Sequence, residues 1–202
     1  VGRSPWSAPT GRMLANRTLG ILGLGRHGRG VARLGVAFGM DVKAWARDEV
    51  PGMALEGDLQ IPLLPLDELL ATADVVSIHL RLSPESTGLL DEQRLWSMKP
   101  RSILINTSRG PIIDESALSR VLVEGPIVAA GLDVFTEEPV SVLSPLLDLP
   151  NVVLTPHIGW TVEEVFEEFA SIAAEQLRDY LDGHLSRAEL QDPDVVTPEG
   201  SS

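Results

Sequence analysis

The sequence of 202 residues contains no cysteine, which excludes disulfide bonds and thiolate metal ligands. This absence suits a reducing compartment, and we expect a cytoplasmic protein. Basic residues are also few, with 16 Lys and Arg against 29 Asp and Glu, for a net charge of −13. General nucleic-acid binding needs a basic surface, so we expect no nucleic-acid partner. A local positive potential at a helix N-terminus can still hold an anionic ligand.

The sequence also has no long hydrophobic run. No stretch of about 18 apolar residues is present, so we expect no membrane span and no membrane partner. The N-terminus shows no signal-peptide pattern of charge followed by an apolar run. No pair or triple of residues has metal-ligand spacing, so no metal site is predicted. The hydrophobic fraction of 44% is enough for the core of one domain, or of one and a fraction.

What is present is a glycine-rich turn between a strand pattern and a helix pattern. The apolar run 19–22 leads into Gly23, Gly25 and Gly28, which have the G-x-G-x-x-G spacing. Apolar residues at helical spacing follow, and then a second strand-like run at 42–45. In this context the pattern predicts a dinucleotide site, with phosphates at the helix N-terminus. The alternative is a glycine-rich turn without a ligand.

Strand and helix patterns alternate along the rest of the chain. Strands are predicted at 74–80, 101–106, 127–134 and 152–154, with helices at 66–72, 91–98 and 115–124. This alternation predicts an α/β fold with a doubly wound, mostly parallel sheet, a Rossmann-type dinucleotide-binding domain. Residues 1–16 are assigned to an N-terminal loop segment, 17–160 to the dinucleotide-binding domain, 161–183 to a long C-terminal helix and 184–202 to a loose tail.

Three local expectations accompany this assignment. Residues 48–64, which contain several glycines and prolines, are predicted to be irregular. Two helix caps are predicted: Asp114 for the helix at 115–124, and a capping box of Thr161 and Glu164 for the long helix. His79 is interpreted as a core histidine with a hydrogen-bond partner, because it lies in a predicted buried strand.

Ligands of open α/β sheets bind outside the carboxyl ends of the strands. This rule gathers the following residues at one edge of the sheet: the glycine turn, Arg47, Thr87, Thr107, Ser108, Arg109, Asp133, Glu138 and His157.

Three of these side chains suggest a reaction. Arg109 has a planar fork that can grip a carboxylate, and His157 can exchange a proton near neutral pH. Glu138 can favour the charged form of His157 and fix its tautomer. Together they suit hydride transfer to a carbonyl, with a nicotinamide as cofactor. Each also has a structural interpretation: a surface ion pair for Arg109, a loop residue for His157 and a solvated acid for Glu138.

Five segments resemble the D-isomer-specific 2-hydroxyacid dehydrogenases. They are TLGILGLGRHG at 18–28, ADVVSIHL at 73–80, MKPRSILINTSRG at 98–110, GLDVFTEEP at 131–139 and LPNVVLTPHIGW at 149–160. The resemblance implies that Arg109 binds the substrate carboxylate, that His157 is the acid/base and that Glu138 is its partner.

The resemblance also implies a cofactor site and a homodimer. Arg26 and His27 match positions at the cofactor pyrophosphate. The positions that match the cofactor lining are Thr87, Thr107, Ser108, Asp133, Gly159 and Trp160, with Asp133 near the nicotinamide amide. The dimer contact is expected in the segment from Trp6 to Leu14.

Two departures from the family pattern affect these expectations. NAD-preferring members usually have an Asp at the end of the second strand, where this chain has Ala46 and Arg47. Arg47 can pair with a 2′-phosphate, whereas the adjacent Asp48 can turn inward, so the choice between NAD and NADP stays open. Family members are also about half again as long, which implies that the N-terminal part of the substrate domain is missing here. The alternatives to an enzyme are therefore a non-catalytic dinucleotide-sensing module and an inactive fragment of a longer dehydrogenase.

Overall fold

The structure is a computed structural model that describes residues 11–47, 51–56 and 59–184. Its centre is a sheet of eight strands: β1 (Thr18–Leu22), β2 (Asp41–Trp45), β3 (Gly52–Glu56), β4 (Leu59–Leu63), β5 (Val75–Ile78), β6 (Ser102–Asn106), β7 (Ile127–Leu132) and β8 (Val152–Leu154). Five α-helices accompany it: α1 (Arg26–Ala37), α2 (Leu66–Thr72), α3 (Glu92–Ser97), α4 (Glu115–Glu124) and α5 (Glu163–Leu181).

The strand order is β3-β4-β2-β1-β5-β6-β7-β8, and every pairing is parallel except that of β3 with β4. The predicted doubly wound, mostly parallel sheet is therefore confirmed. The chain runs outward from β1 in one direction and then returns to continue from β5 in the other. This reversal places the topological switch point between the carboxyl ends of β1 and β5.

Side chains on the central strand alternate between two hydrophobic clusters, one on each face of the sheet. Leu19 and Ile21 pack in the cluster that includes Ala32 of α1. Leu22 packs in the larger cluster with α2, α3 and α4. This period of two is what a strand buried on both faces requires.

Helix α1 is confirmed, but the apolar residues that predict it are not those it buries. Its buried residues are Gly28, Ala32 and Gly35, whereas Leu34 and Phe38 are 60% and 62% exposed. A Cβ on Gly35 would lie 2.6 Å from Leu19 Cδ2. Small residues therefore let α1 approach β1 closely, with Val31 partly buried against the same cluster and Leu34 and Phe38 outside the contact.

The expectation of irregular structure over 48–64 is wrong. Residues 52–56 and 59–63 form the β3–β4 hairpin, which adds two strands beyond β2. Pro62 lies in β4 opposite Met53. The other neighbour of β4, β2, is paired with it only at Ala44 and Leu63, so few ladder bonds depend on the missing N–H of Pro62. Burial of Ile61 and Leu63 in the α1-side cluster outweighs the turn-forming composition.

Two compact units divide the chain between His157 and Ile158. The first contains the sheet and α1 to α4. The second contains α5, and within it the Trp160 ring lies 5.1 Å from that of Phe166 and 6.2 Å from that of Phe169. Neither unit has, in its described part, a helix long and apolar enough to cross a membrane.

The capping box predicted for α5 is also wrong. Val162 is the N-cap residue and provides no side-chain bond, while the Thr161 hydroxyl donates to the Ile158 carbonyl at 2.8 Å. By contrast, the predicted cap on α4 is present, because Asp114 Oδ1 accepts the Ala117 N–H at 2.9 Å.

Trp6 and residues 185–202 of the predicted tail lie outside the described residues. The predicted domain boundaries remain predictions.

Ser102, the first residue of β6, allows a test of what a buried hydroxyl without a hydrogen-bond partner costs in stability. It is 0% exposed, and its hydroxyl has no hydrogen-bond partner in the described part of the chain. An unsatisfied buried hydroxyl is destabilising, so we expect Ser102→Ala to raise the free energy of unfolding by about 1 kcal/mol in urea titrations. Ser77→Ala is the control, since Ser77 Oγ lies 2.9 Å from His79 Nε2 and its loss should destabilise. Equal destabilisation by both variants would contradict this interpretation.

Candidate functional site

The turn from β1 into α1 is built from main chain at very close approach. Gly23 has a φ of +96°, and a Cβ there would lie 2.6 Å from the His79 carbonyl oxygen. A Cβ on Gly28 would lie 2.0 Å from the Gly23 carbonyl oxygen. At Gly25, by contrast, an added Cβ would meet no atom within 4 Å. Two glycines are therefore required by the fold, and the third faces open space.

The N-terminus of α1 has the features of an anion site. Gly25 is its N-cap, without a side-chain cap, and no acidic residue lies in the first turn. The first N–H groups of a helix lack partners within that helix and favour a negative ligand. Arg26 and His27 are exposed beside them. A pyrophosphate therefore fits this turn.

A pocket of about 320 Å³ opens at the switch point in front of this turn. Its walls come from the segments that follow β1, β2 and β5: 23–25, 45–47, 79–81 and 85–86. Because three adjacent strands end here, the site lies where open α/β sheets bind nucleotides. Gly23, Gly25 and Arg47 are brought together as the sequence predicts.

Arg47 lies at the rim of this pocket and has partners there. Its Nη1 donates to Ser83 Oγ at 3.2 Å and lies 3.6 Å from Glu85 Oε2. The Arg47 side chain is 48% exposed and that of Glu85 is 64% exposed, so this ion pair is weak. Asp48 lies outside the described residues.

His79 also lines this pocket, and sequence reasoning missed it. His79 has a hydrogen-bond partner as expected, and the structure identifies it as Ser77 Oγ, but the imidazole is only partly buried. Burial, with a smaller effect from the charge of His27, lowers the pKa of His79 to about 4, so the ring is neutral at neutral pH. Its position just beyond β5 is the signal that identifies it, as for Arg81.

The loop after β6 carries Thr107, Ser108 and Arg109, and its conformation is fixed by side chains. Asn106 is 1% exposed; its Oδ1 accepts the Ser108 N–H at 3.0 Å and its Nδ2 donates to the Arg109 carbonyl at 2.9 Å. Ser108 Oγ donates to the Ile78 carbonyl at 2.7 Å, which ties the loop to the end of β5. Asn106 is a supporting residue that sequence reasoning missed, although it directly precedes the predicted site residues.

The Arg109 loop is in direct contact with the loop after β7. A Cβ on Gly110 would lie 1.9 Å from the Phe135 carbonyl carbon, so only glycine fits. The exposed Arg109 side chain donates from Nη1 to the Ser108 carbonyl at 2.6 Å. The positive charge of Arg109 also helps to lower the pKa of Glu138, so the two side chains attract each other electrostatically.

Glu138 and His157 form the predicted contact. His157 Nδ1 lies 2.8 Å from Glu138 Oε2, and Glu138 Oε1 accepts the Phe135 N–H at 2.9 Å. The hydrogen bond from His157, and then that from Phe135, hold the pKa of Glu138 below its usual value. His157 has a φ of +54°, and its N–H donates to the Thr155 carbonyl at 3.0 Å.

The other predicted residues occupy different positions around this edge. Asp133 is 5% exposed, and its Oδ1 accepts the Thr155 hydroxyl, a partner that sequence reasoning missed. Thr107 and Thr87 are exposed, and the Thr87 hydroxyl donates to the Ser83 carbonyl at 2.8 Å. Gly159 and Trp160 belong to the second compact unit, so their part in the site remains a prediction. Within the described ranges no group of three His, Asp or Glu side chains can hold a metal ion.

This arrangement combines a helix N-terminus without a side-chain cap, an exposed arginine and a histidine whose Nδ1 contacts a carboxylate. The hydrogen bond at Nδ1 leaves Nε2 as the ring nitrogen for proton exchange. Such a site can bind a dinucleotide and move a proton to or from an acid substrate.

Comparison with known proteins identifies the family. The profile described as "D-isomer specific 2-hydroxyacid dehydrogenase, NAD binding domain" matches residues 2–159. The chain therefore belongs to the D-isomer-specific 2-hydroxyacid dehydrogenase family, through its NAD-binding domain.

Individual relatives agree with this family. A glyoxylate reductase of Korarchaeum cryptofilum is 43% identical over 161 residues, which are 80% of this chain and 48% of that protein. D-lactate dehydrogenase of Aquifex aeolicus, solved with NAD and lactic acid, is 31% identical with a TM-score of 0.78, covering 88% and 58% of the two chains. An acyclic imino acid reductase, Bsp5, solved with NADPH and D-Arg, is 33% identical with a TM-score of 0.74, covering 85% and 53%. The chain thus spans about half the length of these relatives.

The Glu138–His157 contact gives a prediction for acid titration. In His157→Ala we expect the pKa of Glu138 to rise toward its ordinary value of 4.5, while staying below it because the Phe135 N–H remains bound. The titration of the carboxyl carbon, followed by NMR, measures this change.

The stability effect has a defined sign. Because the folded-state pKa is lowered, the pair stabilises the protein fully above the unfolded-state pKa, and this contribution is lost as the pH falls through the folded-state pKa. Unfolding free energy should therefore fall less on acidification in His157→Ala than in the parent. Glu137→Gln is the matched control, and a similar effect of that change would contradict the assignment to the Glu138–His157 pair.

Proposed function

We propose that this chain is the cofactor-binding part of an oxidoreductase that interconverts a small 2-keto acid and the corresponding D-2-hydroxy acid. The observation that carries the proposal is the Glu138–His157 hydrogen bond, which lies in one electrostatic environment with Arg109. Family membership and the glyoxylate reductase among the relatives support the same reaction class.

Arg109 is proposed to bind the substrate carboxylate. Its guanidinium is exposed at the carboxyl edge of the sheet, while its main chain is held by Asn106 and by the close contact of Gly110. A rigid base and a planar fork suit bidentate binding, which would orient the adjacent carbonyl.

His157 is proposed to be the acid/base. In reduction, protonated Nε2 gives its proton to the carbonyl oxygen, and in oxidation neutral Nε2 accepts the hydroxyl proton. Glu138 keeps the proton on Nδ1 and stabilises the imidazolium form. The Phe135 N–H holds Glu138 in place, so the carboxylate does not rotate away from the ring.

A nicotinamide dinucleotide supplies or accepts the hydride when bound. We propose that the main chain from Gly23 to Gly28, with Arg26 and His27, holds its pyrophosphate. The other residues proposed to line it are Thr87, Thr107, Ser108, Asp133, Gly159 and Trp160.

The proposal extends to the setting of the protein. We propose a cytoplasmic homodimer with no nucleic-acid or membrane partner, its subunits meeting through the segment from Trp6 to Leu14. The described end of this segment supports it, since Met13 is 78% exposed and Leu14 is 44% exposed. Contact with a second copy would remove this apolar surface from water.

Turnover of the full-length chain tests the reaction. We expect loss of reduced-nicotinamide absorbance with glyoxylate, hydroxypyruvate or pyruvate, and a decrease in kcat on the order of 10²- to 10⁴-fold in His157→Gln. Arg109→Gln should raise KM for the keto acid. Arg120→Gln is the control, because Arg120 pairs with Glu92 on α3. Cofactor binding without turnover of any keto acid would contradict an active enzyme and favour the dinucleotide-sensing module or the inactive fragment.

Arg47 and Glu85 decide the cofactor in this proposal. Arg47 would pair with a 2′-phosphate and Glu85 would repel it, so these two side chains would set the balance between NADP(H) and NAD(H). Equilibrium titrations should show that Arg47→Gln weakens the binding of NADPH more than that of NADH. Glu85→Gln should strengthen the binding of NADPH and leave that of NADH unchanged. Equal effects on the binding of both cofactors would mean that the Arg47–Glu85 pair only holds its loops in place and does not contact a 2′-phosphate.

A further inference from the structure

A second pocket, of about 280 Å³, lies at the opposite edge of the sheet. It is lined by Arg12, Arg17, Asp74, Lys99, Pro100 and Arg101. These residues adjoin the amino ends of β1, β5 and β6, whereas the dinucleotide pocket adjoins carboxyl ends. The length of the parallel strands therefore separates the two pockets.

The walls of this pocket come from distant parts of the sequence. Arg12 Nη1 donates to the Arg101 carbonyl at 2.9 Å, across 89 residues, and so joins the segment before β1 to the turn before β6. The same turn is also held by a second long-range hydrogen bond, in which the Arg101 N–H donates to the Pro126 carbonyl at 2.7 Å. Tertiary contacts thus bring the basic residues together.

The only acid lining the pocket is already fully engaged. Asp74 Oδ2 accepts the Thr18 N–H at 2.9 Å, and Oδ1 lies 2.9 Å from Lys99 Nζ and 3.5 Å from Arg17 Nη1. Burial raises the pKa of Asp74, but the Thr18 N–H, Lys99 and Arg17 together lower it below its ordinary value. Asp74 is therefore an anion at neutral pH. Its single negative charge faces four positive charges in the pocket lining, those of Arg12, Arg17, Lys99 and Arg101.

Structural ion pairing accounts for only half of these cations. Lys99 and Arg17 are explained by Asp74, but Arg12 bonds to a carbonyl, and Arg101 pairs with no carboxylate in the part of the chain that the structure describes. Gathering like charges at short range is unfavourable unless an anion compensates it. This excess of positive charge occurs in a protein whose net charge is −13.

We propose that this pocket binds a multiply charged oxyanion, namely a phosphoryl group, through Arg12, Arg17, Lys99 and Arg101. A phosphate dianion would neutralise most of the excess charge and can accept several hydrogen bonds at once, which suits guanidinium and ammonium donors. The site is independent of the proposed reaction, because it shares no residue with the dinucleotide pocket.

The experiment titrates inorganic phosphate into the full-length chain at constant ionic strength, with amide shifts followed by NMR. We expect saturable binding at one site, with the largest shifts at residues 12–18, 74 and 99–102. The double variant Arg12→Gln/Arg101→Gln should weaken binding roughly tenfold or more, as expected for losing two charged donors. It retains Asp74 and the contacts of Asp74 with Thr18, Arg17 and Lys99. Arg94→Gln/Arg120→Gln is the matched control, since both arginines pair elsewhere.

Further arms of the titration identify the source of the phosphoryl group. Tighter binding of glycerol phosphate than of inorganic phosphate supports a phosphomonoester, whereas equal binding supports free phosphate. Saturating NADH should leave phosphate binding unchanged, because the sites lie at opposite edges. Shifts that do not saturate, that arise at residues 23–28, or that persist in the Arg12→Gln/Arg101→Gln variant would overturn the proposal.

Discussion

The candidate site depends on main-chain segments that pass too close together to leave room for a side chain. Gly23 against His79 and Gly28 against Gly23 bring the β1–α1 turn under the end of β5. Gly110 against Phe135 brings the Arg109 loop to the loop that carries Glu138. These contacts leave little freedom to move one loop without the others, since packed main chain transmits a displacement directly. The geometry of the site therefore depends on glycine at these three positions, where any side chain would push the segments apart.

Glu138 connects the charged groups that these contacts bring together. One oxygen accepts the Phe135 N–H and the other meets His157 Nδ1, so the carboxylate is fixed at both oxygens. Its lowered pKa keeps it an anion, which is the form that stabilises a protonated histidine. Phe135 is also the residue against which Gly110 packs, so the orientation of His157 is linked through this one residue to the position of Arg109.

Local signals in the sequence predicted much of this molecule. The alternation of strands and helices, the cap at Asp114 and the Glu138–His157 contact could be predicted, because each depends on spacing or on the ends of parallel strands. The β3–β4 hairpin was missed because its composition resembles that of a loop, and burial of Ile61 and Leu63 decides its structure. Thr155 was missed because its role arises from a tertiary hydrogen bond to Asp133. Asn106 was missed because the sequence does not show that its side chain turns back to bind Ser108 and Arg109 in the loop that follows it.

The two pockets create positive potential in an acidic protein by different physical means. At the carboxyl edge of the sheet it comes from the uncapped N–H groups of α1, so it depends on main-chain direction and is fixed by the fold. At the amino edge it comes from side chains around Asp74, of which Arg12 and Arg101 take no part in the Asp74 contacts at the start of β1. The first site is thus constrained by the architecture of the sheet and of α1. The second depends on the identity of a few side chains, so substitution of those side chains tests it directly.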